Sequence, residues 1–169
     1  MQIWCSRHAD DQIRRALLIL IAAFCASFAV IAPLGAQQVT KMDAPTAHEK
    51  ALKGEILLVD IRTPEEWKQT GVPASAHAIT MHQDGQVFLS SLLRAAGGDS
   101  KLPVAVICRT GSRSTALAGP LSKAGFPNVI NVVEGVVGGA RGTGWIKREL
   151  PLRTWTPEQS APQLAQDEK

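Results

Sequence analysis

The sequence predicts an α/β fold in which a parallel sheet is covered by helices on both faces, and three observations carry that prediction. Short apolar, β-branched runs alternate with segments of helical period, the pattern of repeated strand–helix–strand units. Two of those runs, residues 56–59 and 104–107, are apolar at nearly every position, as strands buried on both faces must be. Each ends in a segment rich in charge, hydroxyl groups or glycine, and in open sheets of this kind the carboxyl edge gathers the functional loops.

A chain of 169 residues that is 45% hydrophobic and 20% charged suits one globular domain with an extension or two. Such a composition excludes disordered and collagen-like classes. The net charge is +3, with Lys and Arg scattered rather than run together, so neither a nucleic-acid nor an anionic-membrane partner is implied.

The first 36 residues read as a leader rather than as part of the fold. Arg14 and Arg15 precede an apolar run over 16–32, followed by Pro33 and the small-residue ending Leu34-Gly35-Ala36, the layout of a secretory signal peptide. Cleavage after Ala36 would leave Gln37 first, and an uncleaved N-terminal membrane anchor is the alternative. Phe24 directly before Cys25 argues against a lipoprotein signal there. The predicted organisation is therefore a signal peptide over 1–36, a domain over 37–155 and a polar tail over 156–169. Of the 3 cysteines, Cys5 and Cys25 fall in the leader, leaving Cys108 as the one thiol of a mature, exported chain. A single cysteine in an oxidising compartment has no internal disulfide partner, which favours a chemical role.

Taken in order, the mature chain opens with a short edge strand near Val39. A helix is predicted over 44–52, capped by Asp43 or Thr46 and stopped by Gly54. The strand over 56–59 delivers Asp60-Ile61-Arg62 to the carboxyl edge. Asp60 reads as a structural acceptor for loop amides or an arginine. Arg62 is open between a solvated charge and a group reaching the mouth of the Cys108 loop. Thr63, Pro64 and Glu66 form a helix start with a capping box, and Trp67 is the core anchor of that short helix. A turn around Pro73 and a short strand near 78–80 come next. Residues 87–96 form a helix with Val87, Phe88, Leu92, Leu93 and Ala96 on its apolar stripe.

The strand over 104–107 ends at Cys108, a short glycine-containing loop and the polar start of another helix. Ser112 or Ser114 is expected to cap it, and the pair Gly119-Pro120 to kink or end it about two turns in. A further strand covers 129–133. The glycine-rich stretch 135–144 lacks the Gly-Lys-Ser/Thr ending of a phosphate loop and is expected to lie beside the Cys108 loop, with Glu134 and Arg141 on its rim. A short helix near 145–150 closes the domain, and Trp155 covers an edge. His48, His77 and His82 lack ligand spacing, so no metal site and no cofactor is predicted.

The stretch around Cys108 carries the chemistry. Loop amides curved around one centre, the N-terminus of the following helix, and the guanidiniums of Arg109 and Arg113 all favour the thiolate over the thiol. A structural core cysteine needs none of these.

Cys108-Arg109-Thr110-Gly111-Ser112-Arg113 resembles the active-site loop of the rhodanese-like single-domain sulfurtransferases. The resemblance extends to residues 57–62, to Thr63-Pro64-Glu65-Glu66-Trp67, to Gly125-Phe126, to Glu134-Gly135 and to Gly144-Trp145, so it spans about 39–152. The segment 70–75 departs from the family pattern, keeping its proline and losing a histidine and a glycine. The resemblance implies a five-stranded parallel sheet, Cys108 as the sulfur carrier and residues 109–113 as its cradle. From their places around that loop, Arg62 and Arg109 are the candidates to bind substrate, with Asp60 and Glu134 structural near the site. In this family four residues between cysteine and arginine go with sulfur transfer, while the related phosphatases and arsenate reductases have a loop one residue longer, wide enough for a tetrahedral oxyanion. Residues 109–112 make four here.

The expected function is an exported, periplasmic or secreted, thiosulfate sulfurtransferase-like enzyme. It would take sulfane sulfur from a small anionic donor to a thiophilic acceptor through a Cys108 persulfide, without cofactor, nucleic acid or stable membrane association after cleavage. A persulfide carrier or partner-binding module, passing sulfur to a protein acceptor with little small-molecule turnover, is the alternative; an oxyanion enzyme is disfavoured by the loop length.

Overall fold

The computed structural model describes residues 39–157, so the leader predicted over 1–36 and nearly all of the tail predicted over 156–169 lie outside them. The elements are β1 (Thr40–Met42), α1 (Ala44–Leu52), β2 (Leu57–Asp60), α2 (Pro64–Thr70), β3 (Val72–Pro73), β4 (His77–Ala78), α3 (Gly85–Ala95), β5 (Val104–Ile107), α4 (Ser112–Lys123), β6 (Val129–Val132), a 3-10 turn (Ile146–Arg148) and β7 (Leu152–Arg153). Five strands form one sheet in the order β1-β6-β5-β2-β4, every neighbouring pair parallel. The strand that ends at Cys108 is thus central, in register with Leu57 to Asp60 on one side and Val129 to Asn131 on the other.

The unbroken apolar runs are explained by burial on two sides. Leu57, Val59, Val104, Val106, Cys108 and Val129 pack with α3 and α4, while Leu58, Ala105, Ile107, Ile130 and Val132 pack with α1 and α2. Alternate residues of a strand point to opposite faces, so both parities must be apolar where both faces are covered.

Asp43 caps α1 by accepting from the Thr46 amide at 2.8 Å. Thr63 and Glu66 form the predicted capping box of α2, and Trp67 is buried beneath it against Trp155, ring centroids 5.4 Å apart. On α3 the predicted stripe is narrower than expected, since Phe88, Leu92 and Ala96 are buried but Val87 and Leu93 are exposed.

The pair Gly119-Pro120, expected to kink or end its helix, does not end it. Helix α4 runs through Gly119 and Pro120 to Lys123. An interior proline costs about 3 kcal/mol, yet Ala118 and Leu121 on either side of it are buried, and burying one leucine returns about 1.5–3 kcal/mol. The turn predicted around Pro73 is present over 73–76, closed by the Ala76 amide donating to the Pro73 carbonyl at 2.9 Å, and residues 72–73 leading into it form β3, paired antiparallel with β7. Strands of two residues carry no period to read.

Candidate active site

Cys108 follows β5 directly and keeps its parity, so its side chain faces α4 and is only 1% exposed. Gly111 then turns the chain into the helix. It is the N-cap residue, in the left-handed region with φ 84, and no side chain caps α4. Ser112 and Ser114 are therefore not the cap, contrary to expectation, because the left-handed turn places both inside the helix. The sulfur occupies the acceptor position of a capping side chain instead. The Ser114 amide donates to Cys108 Sγ at 3.4 Å, and Ser114 Oγ lies 3.6 Å from it. Among the described residues, the amides of Arg109, Thr110, Gly111, Ser112 and Arg113 have no protein acceptor. First-turn amides are unpaired within any helix, and here the Ser114 amide of that turn is directed at the sulfur.

The loop is locked from three directions. From the adjoining loop, the amides of Val136 and Val137 donate to the carbonyls of Cys108 and Arg109 at 2.8 and 2.9 Å. Gly111 lies so close to that loop that a Cβ there would stand 1.8 Å from the Val133 carbonyl oxygen. From α2, Glu66 holds Arg113 in a bidentate ion pair at 2.6 and 2.7 Å, with His82 Nε2 3.3 Å from the same guanidinium. From below, the Gly111 carbonyl accepts from Ser114 Oγ and Thr115 Oγ1.

Electrostatics follow these contacts. Burial pushes the Glu66 carboxyl up, but the hydrogen bonds from Arg113 and the Thr63 amide, with the attraction of Arg113 and Arg62, outweigh it and hold Glu66 below its ordinary value. The hydrogen bonds that Arg113 donates to Glu66 raise the Arg113 pKa despite its partial burial, and the charges of Glu66, Cys108 and Asp60 add to this.

The other sequence-predicted residues divide clearly. Arg109 is exposed beside the cysteine, and its guanidinium has no hydrogen bond or ion pair among the described residues. Arg141 is exposed too, at the tip of a tight turn closed by mutual bonds between Gly139 and Gly142, and donates to Ser112 Oγ at 2.8 Å. Arg62 is not at the mouth: it is 0% exposed and donates to both oxygens of Asp60, to Thr70 Oγ1 and to the Gly71 carbonyl. Its role as a substrate-binding candidate is withdrawn, since a buried guanidinium so engaged has nothing to offer a ligand. Asp60 is the structural acceptor expected, also bonding the Arg62 amide. Glu134 is not on the rim either. It is 1% exposed and accepts from the amides of Ala44 and Gly144 and from Arg148 Nε. Burial pushes its carboxyl up, and these bonds outweigh that and leave it below its ordinary value. It braces the start of α1 and the glycine-rich loop against each other.

Sequence reasoning missed Glu66 as the partner of Arg113, because the capping box already accounted for it. It also missed Asn131, read as one more residue of a buried strand.

Comparison with known proteins agrees with this geometry. The Rhodanese-like domain model matches residues 43–141. An uncharacterised protein of Rickettsia prowazekii is 33% identical over 112 residues, covering 59% of this chain and 85% of its own. A probable adenylyltransferase/sulfurtransferase of Mycobacterium tuberculosis is 30% identical over 102 residues, covering 57% of this chain and 22% of that larger protein. Among solved structures, Rv0390 of M. tuberculosis aligns with a TM-score of 0.55 at 26% identity, over 69% of this chain and 98% of its own. The polysulfide-sulfur transferase homodimer of Wolinella succinogenes shares the fold at a TM-score of 0.50 and 24% identity, over 70% of this chain and 81% of its own. A family match over more than half of the chain makes it a member of the rhodanese-like domain family and supports a role in sulfur transfer in general.

Proposed function

We propose that this protein is an exported sulfurtransferase that carries sulfane sulfur, from thiosulfate or a similar anionic donor, on Cys108 to a thiophilic acceptor. The observation that carries the reading is the placement of the Cys108 sulfur where the α4 cap acceptor belongs, within a loop whose remaining amides have no protein acceptor. An anionic sulfur bonded to Sγ meets those amides, and four residues between Cys108 and Arg113 suit a single added atom.

In the first half-reaction the thiolate attacks the outer sulfur of thiosulfate. The bond between the two donor sulfurs breaks, its electron pair leaves on sulfite, and Cys108 is left as a persulfide anion. In the second, cyanide or a thiolate attacks the terminal sulfur and the Cys108 thiolate departs. Neither step moves a proton, so a nearby histidine base is not required. The cradle amides hold the negative charge as it shifts onto the terminal sulfur, with no reorganisation at the moment of reaction. Arg113, tied to Glu66, keeps the cradle in shape, while exposed Arg109 meets the anionic end of the donor. Export is proposed from the leader-like pattern ending at Ala36.

Intact-mass measurement tests the reading. Thiosulfate should add one sulfur, about 32 Da, which cyanide removes as thiocyanate. Cys108→Ser should gain nothing, since an alcohol forms no persulfide. A wild-type protein that gains no sulfur from any sulfane donor and hydrolyses aryl phosphate would overturn it.

A further inference from the structure

Behind the cradle, a chain of hydrogen bonds links the middle of the sheet to the loop. Asn131 on β6 is buried, and its Nδ2 donates to Thr115 Oγ1 at 2.8 Å. Thr115 Oγ1 donates in turn to the Gly111 carbonyl at 2.6 Å, the shortest of three bonds that carbonyl accepts, beside those from Ser114 Oγ and the Thr115 amide, each at 3.2 Å. The direction of the chain is forced. An amide nitrogen only donates, so the single hydroxyl proton of Thr115 is left for Gly111. A trans peptide sets its N–H opposite its C=O. Fixing the Gly111 carbonyl on Thr115 therefore aims the Ser112 N–H away from the helix body, the direction in which the Ser114 N–H reaches Cys108 Sγ. Bonds arranged head to tail also polarise one another, which makes that N–H a better donor.

A second observation separates this relay from ordinary packing. Asn131 Oδ1 is buried without a hydrogen-bond partner among the described residues. A stranded buried acceptor is unfavourable, and the strand around it is otherwise Val129, Ile130 and Val132. An apolar residue would serve the core better.

We infer that Asn131 and Thr115 are positioning residues that orient the amides of the Cys108 loop, with stability forgone at position 131 for that purpose. Their effect on turnover rests on the sulfur-transfer reading. Their effect on the cysteine itself does not, because the same amides solvate the thiolate.

The test uses the whole chain and three readouts: thermal midpoint, rate of sulfur gain from thiosulfate, and rate of Cys108 alkylation by iodoacetamide at fixed pH. Asn131→Val should keep or raise the midpoint while both rates fall about tenfold, the effect of one loop hydrogen bond. Thr115→Val should lower both rates alike, and Thr115→Ser, which keeps the hydroxyl, should restore them. The inference is overturned if Asn131→Val or Thr115→Val reacts at the wild-type rate, or if the rates fall only in step with the midpoint and serine restores nothing. Should the wild type alkylate readily yet gain no sulfur, the sulfur-transfer reading fails, and alkylation alone then upholds or overturns the relay.

Discussion

Replacing Gly111 with alanine isolates the contact on which the cradle depends. Two effects act at that position. With φ at 84, any side chain is strained, by about 1–2 kcal/mol for a left-handed residue. In addition, the new Cβ would stand 1.8 Å from the Val133 carbonyl oxygen and 2.8 Å from its carbon. Both are backbone atoms and cannot rotate away. Restoring ordinary contact requires the loops to separate by more than about 1 Å, and displacements of that size at a reacting centre cost about a hundredfold in rate. Val136 and Val137, which bond Cys108 and Arg109 from the same neighbouring loop, would be pulled from register too. Gly97 supplies the control: its φ is 64 and nothing lies within 4 Å of its Cβ direction, so alanine there carries the strain alone. Urea unfolding should place Gly97→Ala about 1 kcal/mol below wild type with sulfur transfer intact. Gly111→Ala should lose about 2–4 kcal/mol and fall about a hundredfold in turnover. Equal stability of the two variants with full turnover in both would refute the claim that the cradle is shaped by close contact with the 133–144 loop.

Arg113→Ala should lower sulfur loading about ten- to a hundredfold with little change in donor affinity, because it releases the loop from Glu66; Arg109→Ala should instead raise the donor's KM. Steady-state kinetics separate the two, and the reverse pattern would exchange their roles. Glu66 and Glu134 both titrate below their ordinary 4.5 when folded. The unfolded chain therefore binds their protons first, and the stability they contribute is complete above about pH 4.5 and lost as pH falls through the folded values. Urea midpoints between pH 7 and 3 should show this decline, and Glu134→Gln should flatten it; an unchanged slope would contradict the assigned bonds. Expression with the leader intact should yield a mature chain beginning at Gln37 by intact mass, whereas a full-length product in the membrane fraction would sink the cleavage proposal.

The sheet, its flanking helices and the Cys108 loop were legible in the sequence because each depends on local chemistry. Apolar runs record burial on both faces, Thr63 to Glu66 spells a capping box, and a cysteine before a glycine turn and a helix start is contiguous in the chain. What was not legible depends on partners brought from elsewhere. Arg62 was open between solvent and the active-site mouth until the fold set it across Asp60, Thr70 and Gly71. Glu134 was expected to be structural near the site and to line a rim; it is structural, as a buried brace, and not on the rim. Gly119-Pro120 was expected to kink or end its helix, and the helix runs on to Lys123 with Ala118 and Leu121 buried on either side of the proline.

The sequence by itself determined the cysteine at the strand end, the length of the loop after it and the parallel strand that presents it, since periodicity and backbone preferences act within a few residues. Only the tertiary structure decided which charges face the sulfur and which are consumed inside the protein. Glu66 meets Arg113 across 47 positions and Glu134 meets the Ala44 amide across 90. The strength of a buried ion pair or hydrogen bond depends on distance and desolvation in space, and neither is encoded in the order of the residues.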